Sequence, residues 1–297
     1  MKNKTLTITL IVILSLLVIL LTLFFINVLT NQSFRLFNFN ISQKESTNLI
    51  FNKEYEEVFE NIKIKSNYSN IELKSGIDEQ IKVIIYGDED NLQVNDSNQE
   101  LDITSKGKTC VGFCFNQNIS KIEIYLPSNY SGNIDIDSNY GDVKVATFNN
   151  MILNTSLDAG DINVNSLKSG KIKNKYGDIT ISSYSKDLDI EQNAGDVKVS
   201  EVDTIKVINN YGDIKIEKVN SYLNINEDCG DVIISSINLN ESSSIHNSYG
   251  DIKIGSTNEI YINAKTSLGD VKINKNFPKS DITLNIDNSL GDIKVNN

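Results

Sequence analysis

Residues 174–181 read NKYGDITI, residues 209–216 read NNYGDIKI and residues 247–254 read NSYGDIKI, and variants of this phrase recur through the second half of the chain. The glycines of the series are Gly141, Gly160, Gly177, Gly195, Gly212, Gly230, Gly250, Gly269 and Gly291. Each is followed by an aspartate: Asp142, Asp161, Asp178, Asp196, Asp213, Asp231, Asp251, Asp270 and Asp292. Successive glycines are 19, 17, 18, 17, 18, 20, 19 and 22 residues apart. A repeat of this length is typical of proteins that stack similar structural units.

Each phrase has a simple physical interpretation. Glycine tolerates the positive φ of a tight corner, and the aspartate side chain can accept hydrogen bonds from backbone amides there. The alternation that follows, as in Val143-Lys144-Val145, predicts a strand with one buried face. A second apolar stretch follows in most repeats, so one repeat supplies about two short strands. We therefore expect an all-β parallel β-helix in which every Gly-Asp corner lays a new coil on the preceding one.

The residue before each glycine alternates between large and small. The series runs Tyr140, Ala159, Tyr176, Ala194, Tyr211, Cys229, Tyr249, Leu268 and Leu290. Either each coil contains one repeat of about 18 residues, with large and small side chains interleaved, or each coil contains two repeats and tyrosine stacks on tyrosine. The spacing alone allows both arrangements. An earlier degenerate copy, SNYSNIEL at residues 66–73, has Ser69-Asn70 in place of Gly-Asp.

The aspartate row could bind Ca²⁺, because hard cations prefer several oxygen ligands. Most of these aspartates are followed two residues later by a lysine on the same face of the strand, as in Asp213 and Lys215. The paired lysines reduce the need for a cation, and calcium-binding β-rolls use shorter repeats with denser aspartates. We expect the Gly-Asp dipeptides to be structural corners, with no metal and no cofactor.

The amino terminus predicts a membrane anchor. Residues 6–29 contain no charged side chain and are long enough, as a helix, to cross a bilayer. The rival interpretation, a cleaved signal peptide, predicts a shorter apolar run with a small-residue cleavage site. The expected organisation is a cytoplasmic tail at 1–5, a transmembrane anchor at 6–29, a juxtamembrane linker at 30–52 and a repeat domain at 53–297. The repeat domain is expected outside the cytoplasm, so the membrane is one predicted partner.

Composition narrows the function further. The net charge of -11 argues against nucleic acid as a partner, because phosphate binding needs clustered Lys and Arg. Three cysteines do not make a disulfide framework. Cys110 and Cys114 could form an extracytoplasmic disulfide, bind a metal or remain free thiols. Cys229 is expected to pack as a small apolar residue, and His246 has no evident catalytic partner.

These features resemble the bacterial putative-adhesin, or toast-rack, repeat family of Gram-positive cell envelopes. The resemblance covers residues 53–297 and includes the phrase IEIYLP ending at Pro127, shortly before the first Gly-Asp. It implies a single-stranded, right-handed parallel β-helix, with surface interaction or sensing linked to envelope-stress signalling. The family has no established catalytic residues to assign to this chain.

The sequence therefore predicts a non-catalytic, single-pass membrane protein. Its repeat domain is expected to bind an envelope component or a partner membrane protein, as an interaction or sensory module. A structural adhesin or spacer on the cell surface is the main alternative. A polysaccharide-active β-helix enzyme is a minor one, because the predicted turns are short and Arg35 is the sole arginine.

Overall fold

The computed structural model describes Val18 and residues 45–76, 79–88, 92–106 and 119–296. The predicted anchor at 6–29 lies outside the described residues apart from Val18, and so do Cys110 and Cys114. Within the described ranges, no helix has the length and apolar character that crossing a membrane requires. Residues 45–296 belong to one compact unit.

This unit is built from strands, 19 of them in the described part of the chain, joined in one sheet. They are β1 (Leu49–Tyr55), β2 (Asn61–Ser75), β3 (Ile81–Tyr86), β4 (Leu92–Ser97), β5 (Glu100–Ser105), β6 (Ser120–Leu126), β7 (Asn133–Tyr140), β8 (Val143–Ala159), β9 (Ile162–Tyr176), β10 (Ile179–Ala194), β11 (Val197–Tyr211), β12 (Ile214–Cys229), β13 (Val232–Ile237), β14 (Ser243–Tyr249), β15 (Ile252–Ile254), β16 (Tyr261–Leu268), β17 (Val271–Ile273), β18 (Thr283–Leu290) and β19 (Ile293–Val295).

The central strands, β8 to β12, form one coil per repeat. Each begins directly after a Gly-Asp corner and ends directly before the next. Each of β8 to β11 pairs in parallel with the following strand along most of its length, and β12 pairs with β13 and then with β14. Tyr140 lies beside Ala159, and Ala159 lies beside Tyr176, so large and small side chains interleave. The coil therefore contains about 18 residues. The two short strands expected in each repeat are continuous here, with a local shift in register such as the one between Phe148 and Ile152.

The hydrophobic core lies inside the coils. The first apolar residue after each corner points inward and stacks on its counterpart in the next coil, as Ile162, Ile179, Val197 and Ile214 do. All four are completely buried. Burying such a side chain contributes about 1.5–3 kcal/mol, and the alternation repeats this gain in every coil. The expected β-solenoid is confirmed.

The amino-terminal end of the stack departs from chain order. β2 lies between β5 and β6 on one side and β7 and β8 on the other. β3 pairs antiparallel with β1 and β6, and β4 forms an antiparallel hairpin with β5. Asn98 and Gln99 make the hairpin turn with φ of 52° and 62°, as a two-residue type I′ turn requires.

The carboxy-terminal end shows the same kind of inversion. β18 and β19 pair with β14 and β15 on one side and with β16 and β17 on the other. The spatial order of the last three corners is therefore Gly250, Gly291, Gly269. The expectation that every corner lays its coil on the preceding one is wrong for these last two. Residues 274–282 connect β17 to β18 and let the chain return to the position between β14 and β16. The Gly-Asp phrase at Gly291 fits this inner position as well as it would fit the end of the stack.

Candidate interaction surface

The corner aspartates form a continuous hydrogen-bonded ladder. The backbone N–H of each aspartate donates to Oδ1 of the aspartate in the neighbouring coil, over 2.8–3.1 Å. The ladder runs in the order Asp142, Asp161, Asp178, Asp196, Asp213, Asp231, Asp251, Asp292 and Asp270. At its start, Asn70 Oδ1 accepts the N–H of Asp142 at 2.9 Å, which explains why the degenerate repeat keeps an Asx residue. One oxygen of each bonded carboxylate is thus committed to holding the stack.

Lysine side chains form ion pairs with some aspartates of this row. Lys198 lies 3.1 Å from Asp196, and Lys253 lies 3.0 Å from Asp251 and 3.8 Å from Asp231. The backbone N–H of Asp213, together with Lys198, holds the pKa of Asp196 below its usual value despite partial burial. The carboxylate of Asp196 is therefore held by hydrogen bonds and an ion pair, which suits a structural element better than a proton donor.

The glycine of each corner is required mainly by close packing. Gly212 has φ of 131°, and a Cβ there would overlap the carbonyl oxygen of Gly195 in the neighbouring coil. Gly230 lies outside the positive-φ region, yet a Cβ on it would overlap the carbonyl oxygen of Gly212 in the same way. Positive φ is thus only part of the reason for glycine, and the approach of one backbone to the next is the shared requirement.

A buried polar row lies beneath the corners, three residues before the glycine. Its amide nitrogens donate to glycine carbonyl oxygens: Asn174 to Gly160 at 3.0 Å, Asn209 to Gly212 at 3.1 Å, Asn247 to Gly230 at 3.0 Å and Asn288 to Gly250 at 2.9 Å, with Gln192 donating to Gly177. These side chains are between 0% and 3% exposed. The row fixes the corner from inside, while the aspartate ladder fixes it from outside.

Glu227 occupies this buried row between Asn209 and Asn247 and is completely buried. Its Oε1 accepts the N–H of Cys229 at 3.2 Å, and Oε2 has no hydrogen-bond partner. Burial raises the pKa of Glu227 to about 8, against the opposing effects of the Asn209 side chain and the Cys229 N–H, and the nearby Asp228 and Asp213 add to the rise. Glu227 is not among the residues predicted from the sequence. The signal was its position, which carries Asn or Gln in most neighbouring repeats.

The residues before the glycines form an exposed aromatic row on the outside of the corners. Tyr140, Tyr176, Tyr211 and Tyr249 are 47%, 58%, 59% and 56% exposed. They occupy alternate coils, and Ala159, Ala194 and Cys229 occupy the coils between them. We call this set the tyrosine row. A row of exposed aromatic side chains along one edge of a domain is typical of an interaction site.

One pair shows what a filled tyrosine row looks like. Tyr68 and Tyr140 lie in adjacent coils, with ring centroids 4.8 Å apart and ring planes within 10° of each other. A ring in every coil therefore leaves no gap. Where Ala or Cys takes the place of tyrosine, the row has a slot one ring wide.

The remaining candidate residues form no chemical site in the described part of the chain. Cys229 is a free, partly buried thiol on the floor of the slot between Tyr211 and Tyr249. His246 points outward on β14, between Asn226 and Asp287 of the flanking strands. No group of three or more His, Cys, Asp and Glu side chains in the described ranges is arranged to hold a metal ion. The predicted pair Cys110 and Cys114 lies outside those ranges.

Three solved structures illustrate what the chain is similar to. A putative adhesin from Bacteroides fragilis is 16% identical, with 85% of this chain and 99% of that chain covered and a TM-score of 0.37. A putative cell adhesion protein from Clostridium sporogenes is 13% identical, with 82% and 98% covered and a TM-score of 0.20. A putative lipid binding protein from Parabacteroides distasonis is 16% identical, with 84% and 99% covered and a TM-score of 0.38.

No curated protein matches the sequence. The family comparison is decisive, because the model of the Toastrack family (DUF4097) matches residues 59–220 and 182–297, which together span most of the chain and all of its Gly-Asp corners. The chain belongs to the Toastrack family.

Proposed function

We propose that this protein is a non-catalytic interaction module of the bacterial cell envelope, anchored by its amino-terminal segment. The observation that carries the proposal is the tyrosine row, whose rings the stacked coils hold exposed to solvent. Two hydrogen-bonded rows, one outside and one inside the corner, fix the backbone from which these rings project.

The polar groups near the row support binding rather than catalysis. The corner carboxylates accept backbone hydrogen bonds, and Asp196, Asp231 and Asp251 also pair with lysines, so these groups serve the stack. The one carboxyl group with a strongly raised pKa in the described residues, Glu227, is sealed in the core and cannot reach a substrate. A catalytic acid must contact the bond that it protonates.

The sequence supports the proposed cellular setting. The uncharged segment at 6–29 supports a single-pass anchor with the solenoid outside the cytoplasm. The net charge of -11 disfavours nucleic acid. We propose an envelope component or a partner membrane protein as the binding target. We extend the proposal to sensing, in which occupation of the row is relayed to an envelope-stress response.

A binding experiment on the full chain tests this function. The protein is reconstituted in lipid nanodiscs and mixed with isolated bacterial envelopes, and the bound fraction is measured by co-sedimentation. The variant Tyr176→Ser/Tyr211→Ser should lose at least ten-fold in apparent affinity, because it removes the central rings of the row. The matched control is Ile208→Ser, which removes an apolar side chain that is 49% exposed but lies outside the tyrosine row.

Equal binding by the wild type and the tyrosine variant would refute the proposed function. A spacer that only projects a surface outward is the second candidate, and the regular stack of coils favours it. For a spacer, the tyrosine variant binds normally, and shortening the stack by one central coil impairs attachment.

A further inference from the structure

We propose that the slots of the tyrosine row bind the basic side chains of a polyproline II segment that carries lysine or arginine at every third position. This inference rests on the proposed function, because it names a partner for the same surface. It follows from the charges beside the slots, from the separation of the rings and from the repeat length of the polyproline II helix.

Carboxylates flank the slots. Ladder aspartates follow the slot residues Ala159, Ala194 and Cys229 by two positions, and further aspartates directly precede two of them: Asp161, Asp196 and Asp231 follow, and Asp158 and Asp228 precede. Lysines compensate part of this charge, since Lys175 lies 2.6 Å from Asp158, Lys198 lies 3.1 Å from Asp196 and Lys253 lies 3.8 Å from Asp231. Asp161 and Asp228 are exposed and form no ion pair with any described residue. The slots at Ala159 and Cys229 therefore keep a negative charge that a cationic group complements.

The rings on either side of a slot also suit a cation. Neighbouring coils are about 4.8 Å apart, so tyrosines in alternate coils are about 9.6 Å apart. The rings of Tyr68 and Tyr140 lie face to face along the stack. In the same orientation, Tyr176 and Tyr211 present opposed faces to the slot at Ala194, and a cation midway between them lies about 4.8 Å from each ring. Cation–π attraction extends to about 6 Å from a ring centroid, so both rings attract the cation.

The separation of the slots selects the backbone conformation of the partner. The slots at Ala159, Ala194 and Cys229 follow one another at intervals of two coils, or about 9.6 Å. A polyproline II helix has three residues per turn and rises about 3.1 Å per residue, so every third side chain lies on one face at intervals of about 9.3 Å. A β-strand places the side chains of one face about 6.6 Å apart, which does not match the slots. Aromatic-lined grooves are a recurring surface for polyproline II segments, because this helix is preformed and loses little entropy on binding.

The measurement is fluorescence anisotropy of a labelled synthetic peptide, titrated with the full chain in detergent micelles. The probe is the peptide RPPRPPRPPR. The comparison peptide, RPRPPPPRPR, has the same composition and charge, but no two of its arginines are three or six positions apart. We expect the wild type to bind the probe at least ten-fold more tightly than the comparison peptide. Attraction between opposite charges alone predicts equal binding, and equal binding would overturn the inference.

The decisive variant is Ala194→Tyr, which fills the central slot while it adds exposed aromatic surface. Slot binding predicts at least ten-fold weaker binding of the probe, whereas general adhesion to aromatic rings predicts tighter binding. The Tyr68–Tyr140 stack shows that tyrosines in adjacent coils are compatible with the fold. Tyr176→Ser/Tyr211→Ser should weaken binding as strongly, and it keeps the test valid if Ala194→Tyr fails to fold. A folded Ala194→Tyr variant that binds the probe as well as the wild type contradicts the inference.

The carboxylates are tested by Asp161→Asn/Asp228→Asn. Asparagine keeps the oxygen that the ladder needs at position 161, as Asn70 does at the start of the ladder, but it removes the charge. Binding of the probe should weaken at least three-fold and should depend less on salt concentration. The matched control is Asp137→Asn/Asp189→Asn, which removes two charges outside the tyrosine row and should leave binding unchanged. Equal weakening by the two double variants would mean that overall charge, rather than the slots, attracts the peptide.

Two results separate this inference from the proposed function. If the two peptides bind equally while Tyr176→Ser/Tyr211→Ser still loses envelope binding, the polyproline II segment is the wrong partner and the proposed function stands. If the probe binds through the slots while the serine variant keeps its envelope binding, the slot chemistry is correct and the proposed function fails. Ile208→Ser, which lies outside the row, should leave the binding of both peptides unchanged.

Discussion

The central coils and the two ends of the solenoid use the same phrase in different ways. From β8 to β12, each coil follows its predecessor in the chain and pairs with it at once. At the amino-terminal end, β2 is enclosed by segments that come later in the sequence, and at the carboxy-terminal end β18 and β19 enter between coils that come earlier. The repeat specifies the shape of a coil, but its place at the end of the stack depends on the connections.

The difference has an energetic consequence. A central coil has a neighbour on both sides, so its apolar residues are buried and its backbone hydrogen bonds are made on both sides. The outermost coil, β16 and β17, has one neighbour, and Leu268 and Val271 are 68% and 42% exposed there. Asn276 partly compensates, because its side chain bonds to both backbone groups of Ile262 at 2.8 Å. We therefore expect the same substitution to cost more in the centre than at this end.

The largest effect should come from Gly212→Val. A Cβ at this position overlaps the Gly195 carbonyl, and a β-branched residue tolerates positive φ poorly. We expect a loss of about 3–5 kcal/mol in the free energy of unfolding, from backbone strain and overpacking together. Chemical denaturation of the full chain followed by circular dichroism measures it.

The matched variant is Gly269→Val, where a Cβ overlaps the Gly291 carbonyl. Because Gly269 lies in the outermost coil, that coil can separate while the rest of the stack persists. Its effect on global unfolding should be clearly smaller. Equal losses for the two variants would show that the end is as tightly coupled as the centre.

Glu227 should make the free energy of unfolding depend on pH. Its pKa is about 8 in the folded protein against a usual value of 4.5, so the folded state binds more protons between these values. The free energy of unfolding should therefore fall as pH rises from about 4.5 to about 8, by at most ~1.4 kcal/mol per pH unit. Glu227→Gln should remove this slope, because the amide is neutral and resembles its neighbours in the row.

Thr266 provides the control at the end of the stack. It occupies the equivalent position in the outermost coil, donates to the Gly291 carbonyl at 3.1 Å and is only partly buried. Thr266→Glu places a carboxyl group where water can reach it and should add little pH dependence. A Glu227→Gln variant that keeps the slope of the wild type would contradict the buried, protonated state of Glu227.

Much of the fold could be predicted from the phrase itself. Alternation after Gly-Asp, as in Ile214-Lys215-Ile216, specifies an inward and an outward face, and stacking follows from the repeat. The position of the last coil could not be predicted, because the corners at Gly269 and Gly291 carry the same local information. Only the longer interval of 22 residues between them hinted at a different connection.

The candidate site was predictable in part. The alternation of Tyr and Ala before the glycines is visible in the sequence, but its meaning required the coil length, because a coil of 36 residues would have stacked the rings without slots. The buried row was missed, since Asn174 and Asn209 look like ordinary polar residues in a strand. Their burial depends on the narrow corner, which period-2 alternation does not describe.

One cross-linking experiment tests the coil order most directly. In a chain without native cysteines, Lys253→Cys is combined with either Lys294→Cys or Lys272→Cys and oxidised under mild conditions. Lys253 lies directly beside Lys294, and Lys294 separates it from Lys272, so the first pair is within disulfide range. We predict a disulfide in the 253–294 pair and none in the 253–272 pair. The reverse result would mean that the coils stack in chain order to the end, which would contradict the observed order Gly250, Gly291, Gly269.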